Sequence, residues 1–241
     1  MERWQHYSQD PNAENLIALR REAVRNARTN RLIDDRVAYL CELVKDKSVL
    51  DIGVVEHTSD AVNNPGWLHG NLKRHARTCL GVDVLEKEVA ELQKQGFNVI
   101  CADVTREPLP QKFDVIIAGE VLEHLDAPGR FMASCAAMLA DGGRLAVTVP
   151  NPWYANVLLK NIFRHITFVD SSDHVAWYEA SVLYELGQRH GLLLERCTGI
   201  GSTRSTTLKA KFFFELRPLL MQAGLSSELF AKSIIYEFVR L

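Results

Sequence analysis

Short apolar runs alternate with amphipathic segments along most of the chain, and glycine, proline or acidic residues bound each run. Such runs are typical of strands that are buried on both faces. The pattern predicts strands at residues 48–53, 79–83, 98–103, 115–118, 144–149, 192–200 and 233–241, and helices at residues 86–95, 128–139, 179–190 and 209–222. Strands that alternate with helices in this way predict right-handed β-α-β units and a doubly wound, mostly parallel sheet of the α/β class.

The N-terminal part follows a different pattern, because apolar positions recur at helical spacing throughout residues 12–45. We therefore predict an N-terminal helical extension over residues 1–46 and one main domain over residues 47–241. A run of arginines lies between Arg20 and Arg36. It has two interpretations, a solvated helix face or a surface for a phosphate-bearing or anionic-lipid ligand.

Composition narrows the class of protein. The 241 residues are 47% hydrophobic and 24% charged, which is enough to bury the core of one large domain and does not indicate disorder. The formal charge of −2 gives no general basic field, so nucleic acid is disfavoured as a partner. The five scattered cysteines favour reduced thiols, and Cys79, Cys101 and Cys197 fall in strand-like runs that predict burial. Neither a signal-peptide pattern nor an apolar run of about 18 residues is present, so we predict a cytoplasmic protein without a transmembrane segment.

Acidic residues recur where the predicted strands end. Asp51 precedes Gly53 at the end of the first of these strands, and Asp83 and Asp103 end the next two. The carboxyl ends of parallel strands form the ligand-binding edge of an open α/β sheet. A glycine there allows a tight turn, and an acid at a strand end can accept hydrogen bonds from ribose hydroxyls or from a base. Three acids at successive strand ends therefore predict a nucleoside-binding edge.

These residues lie in recognisable motifs. VLDIG, GVDV, CADV and FDVIIAGEVLEHL, together with LADGGRLAVTVPN, resemble the motifs of class I S-adenosylmethionine-dependent methyltransferases. The resemblance covers roughly residues 47–200. It implies a Rossmann-like sheet of seven strands whose last strand is antiparallel, and it implies S-adenosylmethionine as the cofactor.

The same resemblance implies the roles of individual residues. Asp51 and Gly53 would lie near the methionine part of the cofactor, Asp83 would bind the ribose, and Asp103 would lie near the adenine. The full set of predicted cofactor-binding residues is Asp51, Gly53, Val55, Asp83, Val84, Asp103, Val104 and Glu120.

The first motif departs from the family pattern, because Gly53 is followed by Val54 and Val55 instead of further glycines. Gly53 and Asp83 are also farther apart than the roughly 20 residues of the related dinucleotide fingerprint. Residues 57–66 supply the extra length, and we interpret them as a remodelled cofactor lid with Trp67 and His69 as wall residues. The alternative is a non-catalytic module that kept the fold and lost the cofactor. An NAD-binding dehydrogenase is disfavoured because the GxGxxG pattern is absent.

The fourth motif carries three groups that can bind a metal or move a proton. Glu120, Glu123 and His124 have the spacing i, i+3, i+4, so a helical turn would place them on one face. Two carboxylates and an imidazole are suitable ligands for a divalent cation such as Mg²⁺. The alternative is that no metal binds, that Glu120 only faces the cofactor and that His124 acts as a general base.

The E-x-x-E-H string also resembles that of two methyltransferase subgroups, the O-methyltransferases of ubiquinone biosynthesis and the small-RNA 3′-end 2′-O-methyltransferases. The second resemblance implies a further histidine ligand beyond the fifth strand, and His174 is at the comparable place. The predicted metal ligands are thus Glu120, Glu123, His124 and His174, and the predicted catalytic residues are His124 and Glu120. A bound cation would lower the pKa of an acceptor hydroxyl and orient it.

The acceptor is the least specified part of the prediction. A glycine-poor first motif, the NPGWLHG segment and EVLEHL together resemble bacterial methyltransferases associated with polysaccharide synthesis, which implies a hydroxyl on a glycan or similar small molecule. A lipid quinone is the alternative, because residues 153–168 and 212–220 can present apolar surface to a membrane, although core packing is the commoner fate of such stripes. RNA is a third, weaker alternative. Asn151 would bind either a strand-end carbonyl or a substrate hydroxyl.

Overall fold

The computed structural model of the protein describes residues 13–56, 59–164, 173–201 and 216–240. The strands are β1 (Arg28–Ile33), β2 (Ser48–Ile52), β3 (Thr78–Asp83), β4 (Val99–Cys101), β5 (Phe113–Gly119), β6 (Leu139–Pro150), β7 (Leu192–Gly201) and β8 (Ala231–Arg240). The helices are α1 (Glu14–Ala27), α2 (Arg36–Leu43), α3 (Leu68–His75), α4 (Glu86–Lys94), α5 (Pro128–Met138), α6 (Ala155–Arg164) and α7 (Ala180–Arg189). Residues 216–222 are also helical, which agrees with the described end of the helix predicted at 209–222. The other residues of that predicted helix lie outside the described part of the chain.

The described strands form one sheet in the order β1-β7-β8-β6-β5-β2-β3-β4. Every neighbouring pair is parallel except the pairs that include β8, which runs antiparallel to both β6 and β7. The predicted α/β class, the mostly parallel sheet and the antiparallel last strand are therefore confirmed. The sheet has eight strands, one more than predicted, and β1 is the extra strand.

The prediction of helix throughout residues 12–45 is wrong in its middle part, where β1 forms the edge of the sheet. β1 pairs in parallel with β7, and the Thr29 hydroxyl donates a hydrogen bond to the carbonyl of Cys197 at 3.0 Å. Most of β1 is exposed, so its polar and arginine residues resembled one face of a helix. Pairing with β7 overrides that local pattern. The domain boundary at residue 46 stays a prediction.

Apolar side chains cover both faces of the sheet, as the uninterrupted apolar runs predict. The largest buried cluster packs α1, α5 and α7 against one face, with Phe131 and Phe238 among its largest members. A second cluster packs α2 and α3 against the other face around Leu40 and Leu72. The two layers of helices leave the carboxyl ends of the central strands as the open edge of the fold.

Burial of the cysteines follows the prediction with one exception. Cys41, Cys79, Cys135 and Cys197 are buried free thiols, whereas Cys101 is exposed, so its predicted burial is wrong. The reason is its position, because Cys101 is the last residue of the short edge strand β4.

Asn151 has the first of its two predicted roles. It is buried at the end of β6, and its side-chain amide donates to the carbonyls of Glu228 and Ala231. It thereby connects the end of β6 to the start of β8.

The apolar stripe around α6 differs from the core packing that is the commoner fate of such stripes. Trp153, Leu159, Ile162 and Phe163 are exposed. Residues 165–168 and 212–215 of the two predicted stripes lie outside the described residues. Among the described residues, no helix has both the length and the apolar character needed to cross a membrane.

Candidate functional site

The carboxyl ends of β2, β3, β4 and β5 lie side by side at one edge of the sheet. The chain proceeds from β2 to β3 and β4 in one direction, and it then crosses to β5 and β6 on the other side of β2. Ligands of open α/β sheets bind in the crevice at such a reversal of strand order. Gly53 and Glu120, which follow β2 and β5, are therefore on the two sides of this crevice.

The turn after β2 requires its glycine. Gly53 has a φ of +79°, and a Cβ at this position would lie 2.4 Å from Cγ2 of Val121. The Gly53 amide donates to the carbonyl of Val82 at 2.8 Å, so the turn stays close to β3. A single glycine thus provides both the backbone conformation and the close approach between the two sides of the crevice.

Asp83 connects the ends of β2 and β3. One carboxylate oxygen accepts a hydrogen bond from the Val55 amide at 2.9 Å, and the other accepts from the Leu85 amide at 3.1 Å. The residue is largely buried. Asp83 therefore orders the loop after Gly53 without any ligand, through hydrogen bonds from backbone amides to a charged acceptor.

Trp67 and His69 lie behind the turn after β2. The Trp67 indole donates to the carbonyl of Val54 at 2.9 Å, and Nδ1 of His69 is 3.0 Å from a carboxylate oxygen of Asp51. Both side chains are buried. The sequence predicts them as walls of the cofactor crevice, but both are buried and support the turn.

Asp103 is held by its own loop. Its carboxylate accepts hydrogen bonds from the hydroxyl and the amide of Thr105, at 2.6 Å and 2.9 Å, and it forms an ion pair with Arg106 at 3.1 Å. The hydrogen bond from the Thr105 hydroxyl lowers the pKa of Asp103, and the positive charge of Arg106 adds to this effect. Its predicted contact with adenine stays a prediction.

The predicted valines of the crevice differ in exposure. Val84, directly after Asp83, is 62% exposed, whereas Val104 is only 4% exposed and packs in the main core. Val55 packs at the edge of a third apolar cluster around Trp67. Of the three, Val84 presents the most apolar surface to a ligand.

Glu120, directly after β5, has an unusual backbone conformation. It has a φ of +58°, its amide donates to the carbonyl of Thr148, and the short helical turn begins only at Leu122. The predicted single helical turn containing Glu120, Glu123 and His124 is therefore wrong. The left-handed backbone at Glu120 separates its carboxylate from the face that Glu123 and His124 share.

Arg36 reaches the same place from the start of α2. Its Nη1 is 3.6 Å from Oε1 of Glu120. Arg36 is not among the predicted site residues, because it is one of many arginines in the N-terminal run. Its only distinguishing signal is the N-cap: the Asp35 side chain accepts a hydrogen bond from Ala38, which places Arg36 at the first position of a helix.

Glu123 is a buried carboxylate, 1% exposed, that has no hydrogen-bond partner on either side-chain oxygen among the described residues. Burial raises the pKa of its carboxyl to about 8; the backbone amide of Glu123 itself opposes the increase, and the negative charge of Glu120 adds to it. A buried carboxylate without partners is costly unless a proton or a cation compensates it. Glu123 is thus the least satisfied charged group of this edge.

Two imidazoles accompany Glu123. The ring centroids of His124 and His174 are 4.8 Å apart, and Nδ1 of His124 is 3.2 Å from the carboxylate of Asp173. One ligand atom from each of Glu123, His124 and His174 lies within 4.8 Å of the others. The structure therefore brings three of the four predicted metal ligands together, whereas the Glu120 carboxylate lies beside Arg36.

Comparison with known proteins gives the same family for most of the chain. A family described as "Methyltransferase domain" matches residues 24–196. A ubiquinone biosynthesis O-methyltransferase of Coxiella burnetii is 29% identical over 172 residues, which cover 61% of this chain and 69% of that protein. A protein of the same name from a Caulobacter species is 33% identical over 94 residues, covering 36% of this chain and 37% of that protein.

Solved structures share the fold at low sequence identity. A methyltransferase from Archaeoglobus fulgidus has a TM-score of 0.57 at 16% identity and covers 85% of this chain and 91% of its own. Magnesium protoporphyrin IX methyltransferase from Synechocystis, solved with bound SAH, has a TM-score of 0.54 at 18% identity and covers 99% of this chain and 93% of its own. These similarities concern the fold.

Proposed function

Because the chain belongs to the S-adenosylmethionine-dependent methyltransferases, we propose that it methylates a hydroxyl group of a small-molecule acceptor with the help of a divalent cation. The observation that carries the proposal is the buried carboxylate of Glu123, which has no hydrogen-bond partner among the described residues, beside the imidazoles of His124 and His174. The ubiquinone biosynthesis O-methyltransferases among its relatives support a hydroxyl as the acceptor group.

The crevice between β2 and β5 suits S-adenosylmethionine, which supplies an electrophilic methyl group on a sulfonium. Gly53 keeps side-chain atoms out of the turn, and Val84 offers exposed apolar surface next to Asp83. Asp83 would bind the ribose with the carboxylate that already orders the loop. The guanidinium of Arg36, at the opposite side of the crevice, would bind the carboxylate of the methionine part.

Glu123, His124 and His174 would hold the cation. The donor set of one carboxylate and two imidazoles suits a divalent metal, and a cation would compensate the buried charge that Glu123 carries when it ionises. Bound there, it would lower the pKa of the acceptor hydroxyl. Glu120, the fourth predicted ligand, would instead balance Arg36 beside the cofactor, at the 3.6 Å separation of their side chains.

His124 would act as a general base if the cation is absent. Nδ1 of His124 lies 3.3 Å from the backbone carbonyl of Asp173 and 3.2 Å from its carboxylate, and acceptors at this nitrogen would fix a proton on it and leave Nε2 as the acceptor of the substrate proton. The side chain of His124 is 33% exposed, so an acceptor can reach it. This pair makes metal-free base catalysis the second candidate mechanism.

The class of acceptor follows from its surroundings. A glycan diol, suggested by the sequence, would present two neighbouring hydroxyls to a cation. An amphiphilic quinone-like acceptor is favoured by the exposed apolar side chains of Trp153, Ile162 and Phe163 and by Val175, which is 60% exposed next to His174. The same exposed face of α6 would give peripheral contact with a membrane.

Calorimetry with S-adenosylhomocysteine and turnover with a catechol-like or a sugar-diol acceptor test the proposal. We expect saturable binding that Asp83→Ala weakens at least about 100-fold, because the variant loses the ribose acceptor and the loop contact together. Asp60→Asn, an exposed acid of the short helical turn Ser59–Asn63, is the matched control and should bind normally. No binding to the wild type would favour the non-catalytic module.

A chelator separates the two mechanisms. We expect EDTA to remove turnover with the preferred acceptor, Mg²⁺ or Mn²⁺ to restore it, and His174→Ala to lower it strongly while cofactor binding stays intact. Unchanged turnover in EDTA, together with a silent His174→Ala, would remove the cation from the proposal. The His124 base would then remain, and His124→Ala alone should abolish activity.

A further inference from the structure

The buried pair of Asp51 and His69 lies directly beneath the turn that is expected to hold the methionine part of the cofactor. The Nδ1–Oδ2 distance is 3.0 Å, and the two side chains are 0% (His69) and 3% (Asp51) exposed. An ionised carboxylate can only accept hydrogen bonds, so the proton of this bond belongs to Nδ1 of His69. Nε2 of His69 is buried and has no hydrogen-bond partner among the described residues, which favours the neutral ring with its proton on Nδ1.

The surroundings of His69 are shaped to hold the ring in one orientation. A Cβ on Gly81 of β3 would lie 2.8 Å from Cε1 of His69, so the glycine makes room for the imidazole. The ring also packs against Trp67 and Phe97, at centroid distances of 5.4 Å and 6.1 Å. Buried rings packed on several sides have little freedom to rotate, so the Nδ1 donor stays directed at Asp51.

Trp67 directly precedes α3 and His69 lies in its first turn, and the two side chains support positions on either side of Gly53. His69 holds the side chain of Asp51, and Trp67 holds the backbone carbonyl of Val54 at 2.9 Å. Gly53 lies between these two anchored residues. The first motif of this chain lacks the later glycines, and its valines are less pliable than glycine would be. The contacts of Trp67 and His69 therefore hold the turn in the conformation that further glycines would otherwise allow.

We propose that His69 is a positioning residue for the cofactor: it donates the hydrogen bond that fixes the Asp51 carboxylate and, through it, the turn at residues 53–55. This inference rests on the proposed function for its ligand. The ordering of the turn by His69 is nevertheless a property of the cofactor-free protein. It can be measured separately, so failure of the two proposals can be distinguished.

Three substitutions test the donor. Asn places its side-chain amide where Nδ1 is in His69, Gln places its amide nearer to Nε2, and Leu keeps the volume without a donor. We expect His69→Asn to bind S-adenosylhomocysteine within about threefold of wild type, and His69→Gln and His69→Leu to bind at least about tenfold more weakly, as expected when a hydrogen bond to a charged group is lost. His75→Leu, an exposed histidine of the same helix, is the matched control and should bind normally.

Two further measurements exclude a general structural effect. In an Asp51→Ala background, His69→Leu should cause no further loss of affinity, because the acceptor of the bond is already absent. Hydrogen exchange in the cofactor-free protein should show faster exchange at the amides of residues 53–55 in His69→Leu and wild-type protection in His69→Asn. Equal effects of Asn, Gln and Leu, or an unchanged penalty of Leu in the Asp51→Ala background, would overturn the proposal. If His69→Leu does not fold, the comparison of Asn with Gln decides it by the same criteria. A wild type that binds no S-adenosylhomocysteine would refute the proposed function, while the exchange data would still decide the role of His69.

Discussion

The two sides of the crevice differ in how completely their charged groups are satisfied. On the β2–β3 side, Asp51 has the imidazole of His69, and both oxygens of Asp83 accept hydrogen bonds from backbone amides. On the β5 side, Glu123 is equally buried but has no hydrogen bond to either side-chain oxygen among the described residues. Buried polar groups are almost always paired, so an unpaired carboxylate requires an explanation.

The difference indicates a division of labour. The carboxylates of Asp51 and Asp83 on the β2–β3 side are paired before any ligand binds, as expected for a preorganised cofactor site. The β5 side instead holds a buried carboxyl group whose ionisation is unfavourable, and a bound cation would compensate the charge. Val121, which lies against Gly53, is the direct contact between the two sides.

Gly53→Ala should have the largest effect on stability, because it disturbs the turn after β2 on the β2–β3 side of the crevice. Alanine at this position would have an unfavourable positive φ, and its Cβ would lie 2.4 Å from Cγ2 of Val121. We expect a loss of about 3 kcal/mol in the free energy of unfolding, from backbone strain and overpacking together. Urea unfolding at equilibrium measures it.

The control for this variant is Gly96→Ala, which also has a positive φ but has no atom within 4 Å of the added Cβ. It should lose only about 1 kcal/mol, the cost of the backbone conformation alone. Val121→Ala should restore part of the stability of Gly53→Ala. Equal losses in the Gly53 and Gly96 variants would contradict the close contact between the two sides.

Glu123→Gln tests the β5 side of the crevice, because it replaces the buried carboxyl group with an amide that does not ionise. The pKa of Glu123 in the folded protein is about 8, above its ordinary value of 4.5. Between these values the folded state holds a proton that the unfolded state has released, so the free energy of unfolding falls as pH rises. The slope from this group is at most about 1.4 kcal/mol per pH unit. Glu123→Gln should remove it.

Unfolding midpoints of wild type and Glu123→Gln at about pH 5.5 and about pH 8 give this slope. Glu107→Gln, at an exposed acid, is the control and should follow the wild type. The Gln variant should be the more stable of the two at the higher pH, since it never ionises. Parallel pH profiles of wild type and Glu123→Gln would mean that the pKa of Glu123 is not raised. The two sides of the crevice would then not differ in the pairing of their buried carboxylates.

The sequence predicts the ordered side better than the unsatisfied one, for a physical reason. Asp51, Asp83 and Asp103 follow apolar runs, and a run of this kind marks both a strand and its end. The support from His69 and the ion pair between Arg36 and Glu120 join residues that are distant along the chain. The spacing of apolar and polar residues along the chain gives no information about contacts between such distant residues.

Local conformation limited the prediction on the β5 side. The i, i+3, i+4 spacing assumes a continuous helix, but Glu120 adopts a left-handed backbone and the helical turn is short. His174 was placed by resemblance alone, and Asp173, its neighbour, was missed as a partner of His124. β1 was missed because an exposed edge strand carries no alternation of apolar and polar residues.

A pair of valine substitutions should have the smallest effect on binding and separates the two valines that follow Asp83 and Asp103. Val84 is 62% exposed, so Val84→Ala should leave stability unchanged and weaken S-adenosylhomocysteine binding about threefold, through lost apolar contact with the ligand. Val104 is 4% exposed, so Val104→Ala should lower the free energy of unfolding by about 2 kcal/mol and leave affinity nearly unchanged. Calorimetry and urea unfolding of both variants give the four numbers. A larger loss of affinity in Val104→Ala than in Val84→Ala would indicate that the ligand lies nearer to the loop after β4. The β2–β3 side of the crevice would then extend to Asp103.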